Sequence, residues 1–191
     1  MRDSITKILK KAADNIYNVS IDKDIIFKIE QIVDLCIKAY ENNQRILFCG
    51  NGGSASDAQH IAAELSGRFL KDRKPLFAEA LHVNSSYLTA VSNDYGFEYS
   101  YSRILESAAR EGDVLIALST SGNSKNVLKA IEKANSLGVI SVGLSGVDGG
   151  EMQSLCSIMI NIPSKETARI QESHILVGHI ICELIEDKLF S

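Results

Sequence analysis

Two helical patterns carry the side chains of this 191-residue chain that are best suited to chemistry. His60 and Glu64 are four residues apart, so on a helix they share one face about one turn apart. Gln171 and His179 share a face of a second pattern, near the C-terminus. Two imidazoles, a carboxylate and an amide oxygen would form a four-ligand Zn²⁺ site if the two helices converge. If they do not, each pair is an ordinary solvated or hydrogen-bonded pair.

A glycine-rich segment comes directly before the first pattern. The apolar run Ile46–Cys49 is typical of a buried parallel strand, and Gly50-Asn51-Gly52-Gly53-Ser54 is a turn rich in residues that tolerate positive φ. A strand, a glycine loop and a helix in this order aim backbone N–H groups at an anion. The glycines also fit the dinucleotide-binding pattern G-x-G-x-x-G/A, but the second predicted strand ends in His82-Val83-Asn84, without the acidic residue that binds the ribose.

A second loop, Ser119-Thr120-Ser121-Gly122-Asn123-Ser124, places four hydroxyl groups in six residues at the start of a predicted helix. A phosphate there would gain backbone N–H donors, hydroxyl donors and the helix dipole. Because no lysine follows in a G-K-[ST] arrangement, the phosphate of a small monoester fits better than a nucleotide triphosphate. The alternative is a simple capped turn in which Ser121 or Asn123 is the N-cap.

Hydrophobic periodicity predicts the elements that would position these residues. Two N-terminal helices come first, and the wide apolar stripe of the second, between Ile25 and Tyr40, either covers the sheet or meets another subunit. Apolar runs predict five strands, at 46–49, 76–83, 113–118, 139–144 and 158–162, and a last helix at 165–189. Strands that alternate with helices indicate a three-layer αβα sandwich with a mostly parallel, flavodoxin-like sheet. Its strand-to-helix loops would meet at one edge of the sheet.

Length and composition indicate a single domain over 1–191, with N-terminal helices (1–43) and a sheet core followed by the C-terminal helix (44–191). The net charge of −4 argues against nucleic acid as a partner. No apolar run is long enough for a membrane span, and the N-terminus lacks the apolar region of a signal peptide. Four scattered cysteines in apolar surroundings indicate reduced thiols, so we expect a cytoplasmic protein.

Five segments resemble the sugar isomerase (SIS) domain family and, within it, the phosphoheptose isomerases. They read CGNGGSASDAQHIAAELSGRF, VSNDYGFE, LSTSGNSKNVLKAI, GLSGVDGGEM and TARIQESHILVGHIICELIE. The resemblance covers nearly the whole chain, and the combination of AQHIAAEL with RIQESHILVGH is its most specific part. One departure is Ala168, where many relatives have an aspartate before the arginine.

The resemblance implies a homotetramer with active sites at subunit interfaces, one Zn²⁺ per subunit, and a sugar phosphate substrate. It implies Glu64 and His179 as the acid–base pair, and His60, Glu64, Gln171 and His179 as zinc ligands. The implied substrate-binding positions are Asn51, Gly52, Gly53, Ser54, Glu64, Asn93, Asp94, Ser119, Thr120, Ser121, Ser124 and Gln171.

The reaction implied is the conversion of sedoheptulose 7-phosphate to D-glycero-D-manno-heptose 7-phosphate through an enediol, the first step toward activated heptose for lipopolysaccharide, capsule or another glycan. A rival hypothesis is a non-catalytic SIS protein that binds a replication initiator or a sugar phosphate. The presence of both halves of the acid–base and metal set favours the enzyme. An NAD-linked oxidoreductase, the third hypothesis, lacks the ribose-binding acid.

Overall fold

A computed structural model describes residues 1–190 of the chain. In this part of the chain the five strands are β1 (Ile46–Gly50), β2 (Ala78–Ala80), β3 (Val114–Leu118), β4 (Ile140–Ser145) and β5 (Ile158–Asn161). The α-helices are α1 (Arg2–Ile21), α2 (Lys23–Glu41), α3 (Gly53–Ser66), α4 (Ser85–Asp94), α5 (Ser100–Ala108), α6 (Lys125–Ser136) and α7 (Thr167–Leu189). Short 3₁₀ helices lie at Phe97–Tyr99 and Gly150–Ser154. None of the helices described is long and apolar enough to cross a membrane.

The strands form one sheet in the order β2-β1-β3-β4-β5, and every neighbouring pair is parallel. The predicted α/β fold is thus confirmed, with a fully parallel sheet. From β1 the chain adds β2 on one side and then β3, β4 and β5 on the other, so the strand order reverses between β1 and β3. There Gly50 pairs with Leu118. The loops that follow these two strands diverge to opposite faces and leave a crevice, the usual ligand site of such sheets.

Helices cover both faces of the sheet and give two apolar cores. Alternate side chains of β1 point to opposite faces, so Ile46 and Phe48 enter one core while Leu47 and Cys49 enter the other. The first core also contains residues of α2, α3 and α7, and the second contains residues of α5 and α6. The result is the three-layer arrangement expected from the sequence.

One local prediction is wrong in extent, and one of two alternatives left by the sequence is favoured. The predicted strand 76–83 is reduced to Ala78–Ala80, because β2 is an edge strand whose flanking Phe77 and Val83 are exposed. The apolar stripe of α2 serves mainly the chain's own core: Ile25, Ile29 and Ile32 are buried in the first core. Ile26, one position further round the helix from Ile25, is half exposed.

Candidate active site

Side chains from α3 and α7 form a polar cluster at the surface. His60 and Glu64 lie on α3, with Nε2 of His60 3.2 Å from Oε1 of Glu64. His179 on α7 places its Nε2 3.0 Å from Nε2 of His60. The helices approach closely at this point because Gly178 has no side chain: a Cβ atom there would lie 2.6 Å from Cγ1 of Ile61. The convergence that the sequence left open is therefore a feature of the fold.

The donor set of this cluster fits a divalent metal ion. His60, Glu64 and His179 each offer one ligand atom, and the three atoms lie within 4.8 Å of one another. Two ligands bound to tetrahedral Zn²⁺ at about 2.0–2.1 Å are roughly 3.3 Å apart. The N–N and N–O separations of 3.0 and 3.2 Å are close to that spacing. The side chains of His60 and Glu64 are 51% and 25% exposed, so a substrate can reach the cluster.

Two further side chains border the cluster, and sequence reasoning missed both. Phe69 stacks on the imidazole of His179, with ring centroids 5.6 Å apart and an interplanar angle of 26°. Asp57 lies one turn before His60 on α3. Burial raises the pKa of the Asp57 carboxyl above its ordinary value, against the opposing effect of His60 and His179. The i, i+3 spacing from His60 could have indicated Asp57, whereas no sequence signal indicated Phe69.

Gln171 lies on α7 two turns before His179, where α7 contacts the start of α3. Its side chain packs against Gly53, where a Cβ atom would come within 3.1 Å of Oε1 of Gln171. Because Gly53 meets Gln171 and His60 meets His179, α3 and α7 run in the same direction. Eight residues of helix rise about 12 Å, so the Gln171 amide would have to leave Gly53 to join the three clustered ligands.

The loops after β1 and β3 are joined by a reciprocal amide pair. Nδ2 of Asn51 donates to Oδ1 of Asn126 at 2.8 Å, and Nδ2 of Asn126 donates to Oδ1 of Asn51 at 2.9 Å. Asn126 is only 2% exposed. Gly52 has a φ of 55°, which lets the chain turn sharply into α3, where Ser54 is buried. Asn126, in the first turn of α6, was not predicted; only its place directly after the hydroxyl-rich loop could have indicated it.

The hydroxyl-rich loop after β3 is closed by a hydrogen bond between its ends, with Oγ of Ser119 3.0 Å from Oγ of Ser124. Ser124, rather than Ser121 or Asn123, is the N-cap of α6. In the described chain its hydroxyl makes no capping hydrogen bond, so the simple capped turn does not account for it. Ser119 is buried, Thr120 is half-buried and Ser121 is exposed. Thr120 and Ser121 line a cavity together with the loop after β4, at Gly146 and Val147.

Asn93 and Asp94 stand apart from these groups. They lie exposed at the end of α4, and Nδ2 of Asn93 donates to Oδ1 of Asp94 at 2.8 Å. Within residues 1–190 they form no hydrogen bond to another predicted site residue. The structure therefore brings together the three cluster residues of α3 and α7. It joins the loops after β1 and β3 through Asn51 and Asn126, but it does not bring Asn93 and Asp94 to either group.

Comparison with known proteins shows the family of this chain. The SIS domain family model matches residues 18–146. A phosphoheptose isomerase from Rhodospirillum rubrum is 49% identical over 191 residues, covering all of both chains. Another, from Aneurinibacillus thermoaerophilus, is 47% identical over all of this chain and 96% of its own.

Solved structures show the same likeness. A phosphoheptose isomerase from Neisseria gonorrhoeae superposes with a TM-score of 0.91 at 36% identity, covering 97% of this chain and 98% of its own. One from Francisella tularensis gives a TM-score of 0.92 at 32% identity, covering 97% of each chain. The chain therefore belongs to the SIS domain family and, within it, to the phosphoheptose isomerases.

Proposed function

We propose that this chain is an aldose–ketose isomerase that converts D-sedoheptulose 7-phosphate to D-glycero-D-manno-heptose 7-phosphate, the first step of activated-heptose biosynthesis. The observation that carries the proposal is the cluster of His60, Glu64 and His179, which lies open to solvent on two packed helices. A protein that only binds a partner has no need for an accessible acid–base set of this kind, so nothing here favours a non-catalytic role.

Glu64 and His179 are the proposed acid–base pair. One of the two groups removes a proton from C1 of the ketose, which gives the enediol, and a proton is then returned to C2. The other group moves the hydroxyl protons, so that O1 loses its proton and becomes the aldehyde oxygen while O2 gains one. The sum of protons is unchanged, as an isomerisation requires.

The hydroxyl-rich loop is the proposed phosphate site. Ser119, Thr120, Ser121 and Ser124 would donate hydroxyl hydrogen bonds, and the N-terminus of α6 would add backbone N–H groups and its dipole. The turn Asn51–Ser54 and the Asn51–Asn126 amide pair hold the facing loop in position. We also keep Asn93, Asp94 and Gln171 as proposed substrate contacts.

Zn²⁺ is the proposed metal, held by His60, Glu64 and His179, with Gln171 as a fourth ligand after a change of its side-chain conformation. When bound, such an ion polarises the oxygens of the substrate. We expect His60→Ala to lower metal content, and chelation to lower an activity that added Zn²⁺ restores. Full activity in rigorously metal-free protein would reject a catalytic metal.

The decisive test of the function is a turnover assay on purified protein with sedoheptulose 7-phosphate. The aldose 7-phosphate should form, and unphosphorylated sedoheptulose should be a much poorer substrate because it lacks the group that the hydroxyl-rich loop would bind. The absence of any aldose product from the phosphorylated ketose would refute the function. Equal rates with both sugars would refute only the phosphate site.

A homotetramer with sites at subunit interfaces is also proposed. Apolar side chains of α1 and α2 remain exposed in the single chain; they are Ile5, Ile8, Leu9, Ile16, Tyr17, Ile21, Ile26 and Phe27. A groove of about 550 Å³ between α2 and α7 is lined by Ile26, Ile180 and Leu184 among others. An assembly would bury this apolar surface, and it could bring Asn93 and Asp94 of one subunit to the site of another.

The assembly is tested by the molecular mass in solution. Ile26→Asp should reduce a tetramer to smaller species, because it places a carboxylate in a groove that the assembly would bury. Val147→Asp, at an exposed apolar residue on the loop after β4, is the control and should not change the mass. An Ile26→Asp tetramer would place this groove outside the interface. The cytoplasmic location stays a proposal that rests on the four free cysteines of the described chain.

A further inference from the structure

A second polar cluster, two turns further along α7, holds the loop that follows α3. The carboxylate of Glu186 accepts hydrogen bonds from three consecutive backbone N–H groups: that of Phe69 at 2.8 Å, that of Leu70 at 2.8 Å and that of Lys71 at 2.9 Å. Three donors on one carboxylate fix the loop at a single position relative to α7. The side chain of Glu186 is 1% exposed.

Arg73 completes this arrangement. Its Nε donates to Oε1 of Glu186 at 2.9 Å, and its Nη atoms donate to the backbone carbonyls of Leu65 at 2.8 Å and Glu64 at 2.9 Å. Burial raises the pKa of Glu186, but the three N–H donors and Arg73 outweigh it and lower the pKa below its ordinary value. We call this pair the Arg73–Glu186 clamp. It ties the last turn of α3, which carries Glu64, to α7.

The clamp holds the backbone from which the ring of Phe69 projects. The backbone N–H of Phe69 is bound to Glu186, and the ring stacks on His179 with centroids 5.6 Å apart and planes at 26°. This distance is within the range of offset-stacked aromatic pairs. An imidazole on a partly exposed helix face has several rotamers. In the orientation in which the ring stacks on it, His179 points its Nε2 at His60, 3.0 Å away.

We propose that Phe69 is a positioning residue for His179, held against the imidazole by the Arg73–Glu186 clamp. The inference rests on the proposed function for the role of His179 in turnover. The part of the inference that concerns the position of His179 beside His60 and Glu64 does not depend on that function. Hydrogen-bond partners that orient a metal-binding imidazole commonly change metal affinity or activity by about 10- to 100-fold when they are removed. For a stacked ring that orients the same imidazole we expect the lower end of this range.

The test compares Phe69→Ala, Phe69→Leu and Phe69→Tyr with Leu70→Ala. Leu70 is 65% exposed, and its N–H is bound to the same carboxylate, so the control removes a neighbouring side chain and keeps the clamp. Each protein is titrated with Co²⁺, whose visible absorption reports both affinity and ligand geometry. kcat and KM for sedoheptulose 7-phosphate are then measured separately on each metal-loaded protein.

We expect Phe69→Ala and Phe69→Leu to weaken Co²⁺ binding and to lower kcat by about tenfold, with a KM within about threefold of wild type because the phosphate loop is intact. Phe69→Tyr, which keeps the ring, should stay close to wild type, as should Leu70→Ala. If Phe69→Ala does not fold, Phe69→Leu, which keeps the bulk, decides the matter.

Wild-type Co²⁺ affinity and kcat in Phe69→Leu would overturn the inference, since bulk without a flat ring would then suffice. So would equal losses in Leu70→Ala. The proposed function fails separately, if wild-type protein does not isomerise the ketose phosphate. In that case the Co²⁺ titration still decides whether Phe69 orients His179.

Discussion

α7 carries two polar clusters that look alike in sequence and differ in the structure. His179 meets His60 and Glu64 near the surface, while Glu186, seven residues later, meets Arg73 in the interior. Both join α7 to α3 or its following loop, and both combine a carboxylate with a basic group. The side chains of His60 and Glu64 are 51% and 25% exposed, whereas those of Arg73 and Glu186 are 2% and 1% exposed.

The difference lies in whether the chain itself satisfies the polar atoms. Glu186 accepts four hydrogen bonds from its own chain, so it has no capacity left for a ligand. In the other cluster two Nε2 atoms point at each other beside a carboxylate oxygen, an arrangement that an added cation would satisfy. A cluster whose hydrogen-bonding groups are all satisfied within the chain stabilises the fold. A cluster that still has free ligand atoms is available for chemistry. The predictions below test that division.

Breaking the clamp should give the largest effect. Arg73→Met removes the charge and leaves the Glu186 carboxylate buried without its cation, which typically costs about 3–5 kcal/mol of unfolding free energy. Denaturant unfolding measures the loss. Arg68→Met, at an exposed arginine, is the matched control. If the unfolding free energy of Arg73→Met is within about 0.5 kcal/mol of the wild-type value, the buried pair does not stabilise the fold.

Glu64→Gln and His179→Gln should lower turnover and leave the stability of the fold unchanged. Both changes roughly preserve shape and hydrogen bonding, so stability, assembly and binding of the ketose phosphate should be retained. Because each removes a group proposed both for proton transfer and for metal binding, kcat should fall by at least about 10²-fold, also at saturating Zn²⁺. Turnover is measured on protein whose fold is checked by circular dichroism. Near-normal turnover in both variants would remove this pair from the mechanism.

His174 is a second buried polar group of α7 whose expected effect is on stability and not on turnover. It is fully buried on α7, and burial lowers its pKa to about 4, although a contact with the carbonyl of Ser145 opposes the shift. The unfolded chain takes up a proton near pH 6.5 and the folded chain does not, so stability falls as the pH drops below 6.5 toward 4. Between pH 7 and pH 5 the loss from this residue is about 2 kcal/mol.

Denaturant unfolding at the two pH values measures this loss, and His174→Gln supplies the comparison. The variant should show a smaller decrease in unfolding free energy between pH 7 and pH 5. An equal pH dependence in both proteins would mean that His174 takes up its proton in the folded state as readily as in the unfolded state. His174 would then not be a buried neutral group that stabilises the fold.

The hydroxyl-rich loop should give the smallest effect, on binding. Ser119→Ala combined with Ser124→Ala removes two proposed phosphate donors, which contact the substrate equally in the ground and transition states. KM should therefore rise by about tenfold while kcat changes little. Steady-state kinetics check this, with Ser107→Ala, at an exposed serine of α5, as the control. A large fall in kcat at unchanged KM would place these hydroxyl groups with the catalytic cluster.

Local spacing predicted much of the geometry of the candidate site. His60 and Glu64 need only one helix to share a face, and the glycine and serine loops follow apolar strands directly, so the sequence was sufficient for both. The order of strands and helices likewise predicted the parallel sheet. The extent of β2 was wrong, since the apolar run around it continues into residues that the edge of the sheet leaves exposed.

Contacts between distant segments could not be predicted from local patterns. The pairing of Asn51 with Asn126 depends on β1 and β3 being neighbours in the sheet. The stacking of Phe69 on His179 depends on Glu186, which in sequence is one more acidic residue on an amphipathic helix. Gln171 illustrates the same point, because its helix face was predicted but its contact with Gly53 was not.

The late position of α7 in the chain also affects how the protein is made. His60 and His179 are separated by 119 residues, so at a synthesis rate of about 5–20 residues per second the ribosome needs roughly 6 to 24 s to pass from one to the other. During that interval α3 and the sheet have no α7 to cover them, and a nascent chain exposes apolar surface. The proposed acid–base pair is therefore complete only after α7 has been translated. A chain interrupted before α7 would present chaperones with an open core instead of releasing a partly active enzyme.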